Sequence, residues 1–298
     1  MVNNLATSYS QRLDALDWMS PETKKMAKFK LASFMKKIGF PDKYRDYGKL
    51  EITRASFYEN VKRTSNFDFA FNMSKIGKPV DKTEWMMSPP TVNAYYNPSF
   101  NEIVFPAGIL QPPFYNSNAD DAVNYGGIGA VIGHEMTHGF DDEGRKFDAN
   151  GNLTNWWQAD DSARFVAKAH MLVEQFNKYT VLDTAHVNGE LTLGENIADL
   201  GGITISYYAF QNSLKGKPAP EKIDGYNAEQ RFFIGWAQVW RNNTRDAATL
   251  QRLMIDPHSP GIYRCNSPLS NFDEFYKAFD IKPGDKMYRS PETRAKIW

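Results

Sequence analysis

The stretch Val131-Ile132-Gly133-His134-Glu135-Met136-Thr137-His138-Gly139 carries two histidines four residues apart, with a glutamate directly after the first. On a helix this spacing puts both imidazoles on one face. Their ring nitrogens can then share one metal ion while Glu135 lies beside them, which is half of a catalytic zinc site together with its general base. The competing reading is two histidines on a solvated helix face. Ala130, Val131, Ile132 and Met136 surround the motif with apolar side chains. The helix is therefore expected to be buried, and a buried His or Glu needs a metal or a polar partner.

A catalytic zinc takes three protein ligands and keeps one position for water. The best candidate for the third ligand is Glu195, within Leu193 to Gly202. Glu195 and Asp199 are again four residues apart in a segment that reads as helix, so both carboxylates share a face. One can bind zinc while the other accepts the ring N–H of a liganding histidine. Alone, such a pair is usually just solvated; behind the motif it completes a His-His-Glu set. Asp141, three residues past His138, can serve the second histidine in the same way or belong to a simple acidic turn.

Composition excludes several classes of function. Thirty-five basic residues balance 35 acidic ones, so no nucleic acid or anionic membrane is called for as a partner. Cys265 is the single cysteine, which rules out a disulfide within the chain and reads as a small apolar filler. No apolar run is long enough to span a bilayer, and the N-terminus lacks a signal-peptide pattern. The chain as given is expected to be soluble. Its 298 residues suffice for one large or two modest domains.

In chain order, Ser20-Pro21-Glu22 starts a helix that Gly39-Phe40-Pro41 is expected to stop. Met26, Phe29, Phe34 and Ile38 give it an apolar side, and six lysines from Lys24 to Lys37 read as its solvated face. A second helix is expected from Arg54 to Phe71. Thr91 to Tyr96, a turn at Asn97-Pro98, and Glu102 to Phe105 read as a β-hairpin, whose exposed edge can pair with an extended peptide. An irregular apolar connection from Pro106 to Phe114 leads into the motif helix. Asn155 is expected to cap a helix through Trp156, Trp157, Phe165 and Met171. Residues 215–225 read as an exposed loop, and Arg231 to Trp240 as an amphipathic helix that ends the core.

Attack of water on an amide builds an oxyanion that needs hydrogen-bond donors, and a peptide cleft needs a cation for a carbonyl or carboxylate. His258 suits the first task and Arg264 the second. Taken singly, each reads more readily as structural.

A series of segments, in order and with matching spacing, resembles the neprilysin family of zinc metallopeptidases (neprilysin, endothelin-converting enzyme and the bacterial PepO-type endopeptidases). They are Val92 to Tyr96, Ile103 to Phe114, Asn124 to Gly129, His134 to Asp142, Leu193 to Asp199, Phe233 to Trp240, His258 to Gly261 and Lys296 to Trp298. The resemblance covers residues 85 to 298 and extends more weakly over the opening third. It implies one Zn²⁺ per chain held by His134, His138 and Glu195, with Glu135 as general base and Asp199 and Asp141 orienting the two histidines. It further implies that His258 stabilises the transition state and that Arg264 holds a substrate carbonyl. Asn93 and Ala94 would bind peptide backbone. Ile109, Phe114, Val131 and Trp240 would line the pocket just past the scissile bond, which favours a large apolar side chain.

The expected fold is mainly α with a small β-sheet (α+β) in a thermolysin-like arrangement. Residues 1–90 are expected as a helical region packing on a catalytic domain of residues 91–298, in one continuous unit. The expected function is zinc-dependent endopeptidase cleavage of oligopeptides. Two alternatives are a zinc aminopeptidase, which should show an acidic anchor for a free amine, and a non-catalytic peptide-binding module, which should lack the base. Family members are about twice this length and carry a large helical lid that is not found in this sequence. Size exclusion of large substrates is therefore not expected unless a second polypeptide or a missing N-terminal part completes the cleft. The single cysteine departs from the disulfide-rich animal members, so a bacterial source is expected; separately, a periplasmic or secreted location is expected over a cytoplasmic one.

Overall fold

The computed structural model describes all 298 residues. The chain runs α1 (Val2–Ala15), α2 (Pro21–Ala32), β1 (Met35–Gly39), α3 (Phe57–Met73), β2 (Tyr95–Asn97), β3 (Glu102–Pro106), α4 (Asp121–Asn124) and α5 (Ala130–His138). It continues with α6 (Ala159–Phe176), a short ribbon of β4 (Thr180–Val181) and β5 (Ala185–His186), α7 (Leu193–Leu214), α8 (Ala228–Val239), α9 (Asp246–Ile255), α10 (Gly261–Leu269) and α11 (Asp273–Phe279). The architecture is the expected mainly helical α+β type.

Two central helices organise the rest. α5 carries the histidines and α7 the acidic pair, and they pack against each other at glycines. A Cβ on Gly133 would lie 2.6 Å from the Gly202 carbonyl oxygen, and one on Gly202 would lie 2.6 Å from that of Ala130. Only a residue without Cβ allows backbones to approach so closely. Around this crossing, α1 lies against α7, α8 against α4, and α10 against α7 and α8.

Beneath the motif helix is an aromatic cluster. Tyr9 and Trp298 meet Phe140 edge-on at centroid distances of 5.2 and 6.1 Å, and Phe165, Trp18 and Trp157 extend the cluster outward. Each such ring removes a large apolar area from water. The Trp18 indole N–H donates to the Ile297 carbonyl, and Arg12 donates to that of Trp298. The last residues of the chain are thereby stitched to its first helix. The core thus continues well past the helix expected to end it: Leu269, Phe272, Phe275 and Ile297 are all buried.

The opening helix differs most from expectation. α2 ends at Ala32, and Met35–Gly39 is instead a strand parallel to β3, giving a sheet of order β1-β3-β2 with Lys37 opposite Val104. β-pairing has overridden a helical periodicity read across both elements. Phe34 is buried as expected and Lys24, Lys25, Lys28 and Lys36 are not buried, but the two faces are reversed in part. Phe29 is 57% exposed, whereas Lys30, assigned to a solvated face, is 1% exposed and Lys37 is also buried. Lys37 pairs with the fully buried Glu102 of β3 at 2.6 Å.

The expected hairpin is present as antiparallel β2 and β3, and β2 is the edge strand of the sheet that lies beside α5. α6 begins at Ala159 behind Gln158, three residues later than the Asn155 cap predicted, and Trp156 and Trp157 precede it. Residues 215–225 are exposed as expected. Within residues 1–90, the first 39 join the core and the sheet, while α3 buries no residue.

Candidate zinc centre

His134 and His138 project from the last turns of α5, and Glu195 and Asp199 from the first turns of α7. The His134 Nδ1 is 2.8 Å from Asp199 Oδ1, and the His138 Nδ1 is 2.7 Å from Asp141 Oδ2. With each Nδ1–H donated to a carboxylate, each Nε2 turns an acceptor lone pair inward. The two Nε2 atoms are 3.0 Å apart, and Glu195 oxygens stand 3.3 Å from one and 3.5 Å from the other. Two lone pairs and a carboxylate facing one another repel unless a cation lies among them. The three donor atoms fall within 4.8 Å of one another, and their chemistry, two imidazoles and a carboxylate, is that of zinc.

The electrostatics make the same demand for positive charge. Burial disfavours a charged His134, but hydrogen bonds to Asp199 and Glu195 outweigh it and push His134 up to about 10. Glu195 lies well below the ordinary carboxylate range despite its burial, because His134 and His258 hydrogen-bond to it. Burial likewise works against Asp199, and Arg264 holds it low. Glu135 behaves differently. Burial raises its pKa, with the charges of His134 and His138 opposing, so it is the carboxyl group of the site most ready to carry a proton.

Every candidate metal-binding, catalytic and substrate-binding residue named from sequence lines one cleft of about 570 Å³, which also takes in Tyr95, Phe147, Trp236 and Val239. Asn93 and Ala94 lie just before the edge strand β2. Ile109, Phe114, Val131 and Trp240 form an apolar wall of the cleft. His258 stands half-exposed at the rim, its Nε2 3.2 Å from Glu195 Oε1 and its Nδ1 2.7 Å from Asp256 Oδ1. Arg264 is buried against Trp240, with its guanidinium carbon 4.3 Å from the ring centroid. Its Nε and Nη2 donate to Asp199 at 2.7 and 2.8 Å, and Nη2 also donates to Glu195 at 3.0 Å. Its Nη1 takes part in none of these bonds.

Several supporting residues were not identified from sequence. Asp256 fixes the His258 ring, and a His two residues after an Asp was a local signal for it. Ser259 donates to the Asn196 side chain at 3.0 Å, tying the His258 loop to α7. The Trp236 indole N–H donates to the Cys265 carbonyl at 3.0 Å, tying α8 to α10. These contacts join segments more than 25 residues apart, so no local pattern reveals them.

A helical fold with a sheet edge beside two crossed helices, and a His-His-Glu donor set backed by carboxylates, defines the zinc metallopeptidase class. Models of peptidase family M13 match residues 93–295 and, separately, residues 1–41; the chain belongs to this family, the neprilysin family. It is 42% identical to an endothelin-converting enzyme homolog of Locusta migratoria and 39% identical to human endothelin-converting enzyme 1. All of the chain is matched in both cases, against 42% and 40% of those proteins. Among solved structures, the zinc metalloprotease Zmp1 of Mycobacterium tuberculosis, in complex with an inhibitor, superposes with a TM-score of 0.97 at 50% identity. PepO of Lactobacillus rhamnosis superposes with a TM-score of 0.90 at 36% identity. Both cover the whole chain and 46% of the solved one. The chain therefore spans less than half the length of these relatives, which come from animals and bacteria alike. No helix is long and apolar enough to cross a membrane.

Proposed function

We propose that this chain carries the catalytic machinery of a zinc endopeptidase that cleaves oligopeptides and prefers a large apolar residue just after the scissile bond. The observation that carries the reading is the pair of inward-facing Nε2 atoms 3.0 Å apart, each ring backed by its own carboxylate, with the buried Glu135 in the same cleft. His134, His138 and Glu195 hold the metal, with Asp199 and Asp141 fixing the two rings. Bound zinc supplies a Lewis acid and lowers the pKa of water.

The chain's own groups do the rest. Glu135, whose burial raises its proton affinity, accepts a proton from the attacking water and passes it to the leaving amine. His258 donates to the oxyanion from the open side. The free Nη1 of Arg264 offers two N–H groups to a substrate carbonyl. A peptide extended along β2 pairs with that edge near Asn93 and Ala94. The residue past the scissile bond enters the apolar wall formed by Ile109, Phe114, Val131 and Trp240.

The test is zinc analysis combined with digestion of a peptide library blocked at both termini. One zinc per chain and cuts preceding Phe, Leu or similar residues are expected. Glu135→Gln should retain zinc and lose turnover by about a thousandfold or more, since it removes only the base. Cleavage restricted to free N-termini, or a fully active Glu135→Gln, overturns the reading.

A further inference from the structure

Lys30 lies on α2, more than a hundred residues before the motif, yet its ammonium is buried directly behind the zinc helix. The Nζ donates to the carbonyls of Gly139, Gly144 and Phe147 at 2.6, 2.7 and 2.7 Å. An ammonium has three N–H donors, and all three are used. Burial pulls the lysine's pKa down to about 7 against Asp141 and Asp148, but three acceptors require the charged form. The rings of Phe140, Tyr96 and Trp156 surround the charge at 5.5 to 5.8 Å.

The three carbonyls belong to the turn that leaves the end of α5. Gly139 is the C-cap of that helix, where a cation complements the unpaired carbonyls and the helix dipole. Gly144 packs so tightly that a Cβ there would lie 1.7 Å from the His138 carbonyl oxygen. Between Gly139 and Gly144 sits Asp141. One of its oxygens accepts the His138 ring N–H, and the other accepts the backbone N–H groups of Glu143 and Gly144 at 2.9 and 2.6 Å. Lys30 and Asp141 thus grip the same turn, one by its carbonyls and the other by its amides.

We propose that Lys30 is a positioning residue of the zinc centre: a built-in cation that folds the 139–147 turn around Asp141 and so aims the His138 ring at the metal. This rests on the zinc reading above and extends it to a residue that touches neither metal nor substrate. Partners that orient a liganding histidine are each worth roughly tenfold to a hundredfold in metal affinity.

The test is competition for zinc against a chelator, run on the unchanged chain, Lys30→Met, Asp141→Asn and the double variant. Wild-type chain that fails to bind zinc removes the underlying reading. Wild-type binding with a tenfold to hundredfold loss in Lys30→Met, and little further loss when Lys30→Met is added to Asp141→Asn, supports the proposal. Unchanged affinity in Lys30→Met, or losses that simply add in the double variant, overturns it, and a lowered melting temperature alone would mark a merely structural lysine. If Lys30→Met does not fold, Lys30→Gln, which keeps N–H donors without the charge, is read by the same criteria.

Discussion

Arg264 grips both carboxylate oxygens of Asp199, at 2.7 and 2.8 Å, and it shares one of them, Oδ1, with the His134 Nδ1 at 2.8 Å. The guanidinium, carboxylate and imidazole form a buried relay that ends at the metal position. A buried carboxylate that loses its cation pays a desolvation cost of several kcal/mol or takes up a proton. Arg264→Met should therefore do two separable things. It should weaken zinc binding by about tenfold or more through Asp199, and it should raise the Michaelis constant of the zinc-loaded enzyme through the lost Nη1 contact. Chelator competition and steady-state kinetics at saturating zinc read the two effects. A change in the Michaelis constant with zinc affinity untouched would mean that the grip on Asp199 contributes nothing to the site.

His258 and Asp256 form a second pair, at the rim. If His258 donates to the developing oxyanion, His258→Ala should lower kcat by about a hundredfold to a thousandfold with little change in KM or zinc content. Asp256→Asn leaves the imidazole in place but removes the carboxylate that accepts its Nδ1–H. A smaller loss of kcat is expected there. Zinc loss in His258→Ala would make His258 a ligand instead.

Much of the metal site was legible in sequence because its donors come from two helices, each with a fixed i, i+4 geometry. The sheet edge was legible from the β-branched and aromatic residues on both sides of the Asn97-Pro98 turn. What escaped was tertiary. Lys30 looks like one more lysine in a run of six, and nothing local says that its neighbour Phe29 faces water while it faces the carbonyls of a turn 109 residues away. Met35–Gly39 was absorbed into a helix because its strand partner, Glu102–Pro106, is distant in sequence. The Asn155 cap failed because Trp156 is held outside the helix, donating its indole N–H to Phe147 at 2.9 Å.

Asp161 ties α6 to the start of α2 and gives the fold an acid-sensitive joint. It is fully buried, accepts from the Ser20 amide and hydroxyl at 3.0 and 2.5 Å, and pairs with Arg164 at 2.6 Å. Burial opposes its ionisation, yet the hydrogen bonds from Ser20, Thr23 and Arg164 prevail and bring it down to about 2. A folded-state pKa below the unfolded one of about 4 contributes stability that is complete above pH 4 and is lost as pH falls toward 2. Asp161→Asn should lower the melting temperature at pH 7 and flatten its fall between pH 4 and 2. Parallel curves for the two proteins would show that this joint is not titrating.

The approach of α5 to α7 at Gly133 and Gly202 sets the distance between the histidines and Glu195. Gly202→Ala would place a Cβ 2.6 Å from the Ala130 carbonyl oxygen and 2.7 Å from the His134 amide nitrogen, contacts that backbone atoms on both sides cannot relieve by rotation. The helices must then separate. Overpacking of this kind costs about 1–3 kcal/mol, and here the same displacement draws Glu195 away from the His134 and His138 rings, whose Nε2 atoms now stand 3.3 and 3.5 Å from its oxygens. Zinc affinity should drop along with the melting temperature. Gly225→Ala is a matched control: it lies in the exposed loop with φ +82° and nothing near its Cβ position, so it should cost stability by backbone strain alone and leave zinc binding intact. Equal zinc affinity in Gly202→Ala and the control, at equal loss of melting temperature, would show that the helix crossing does not set the ligand geometry.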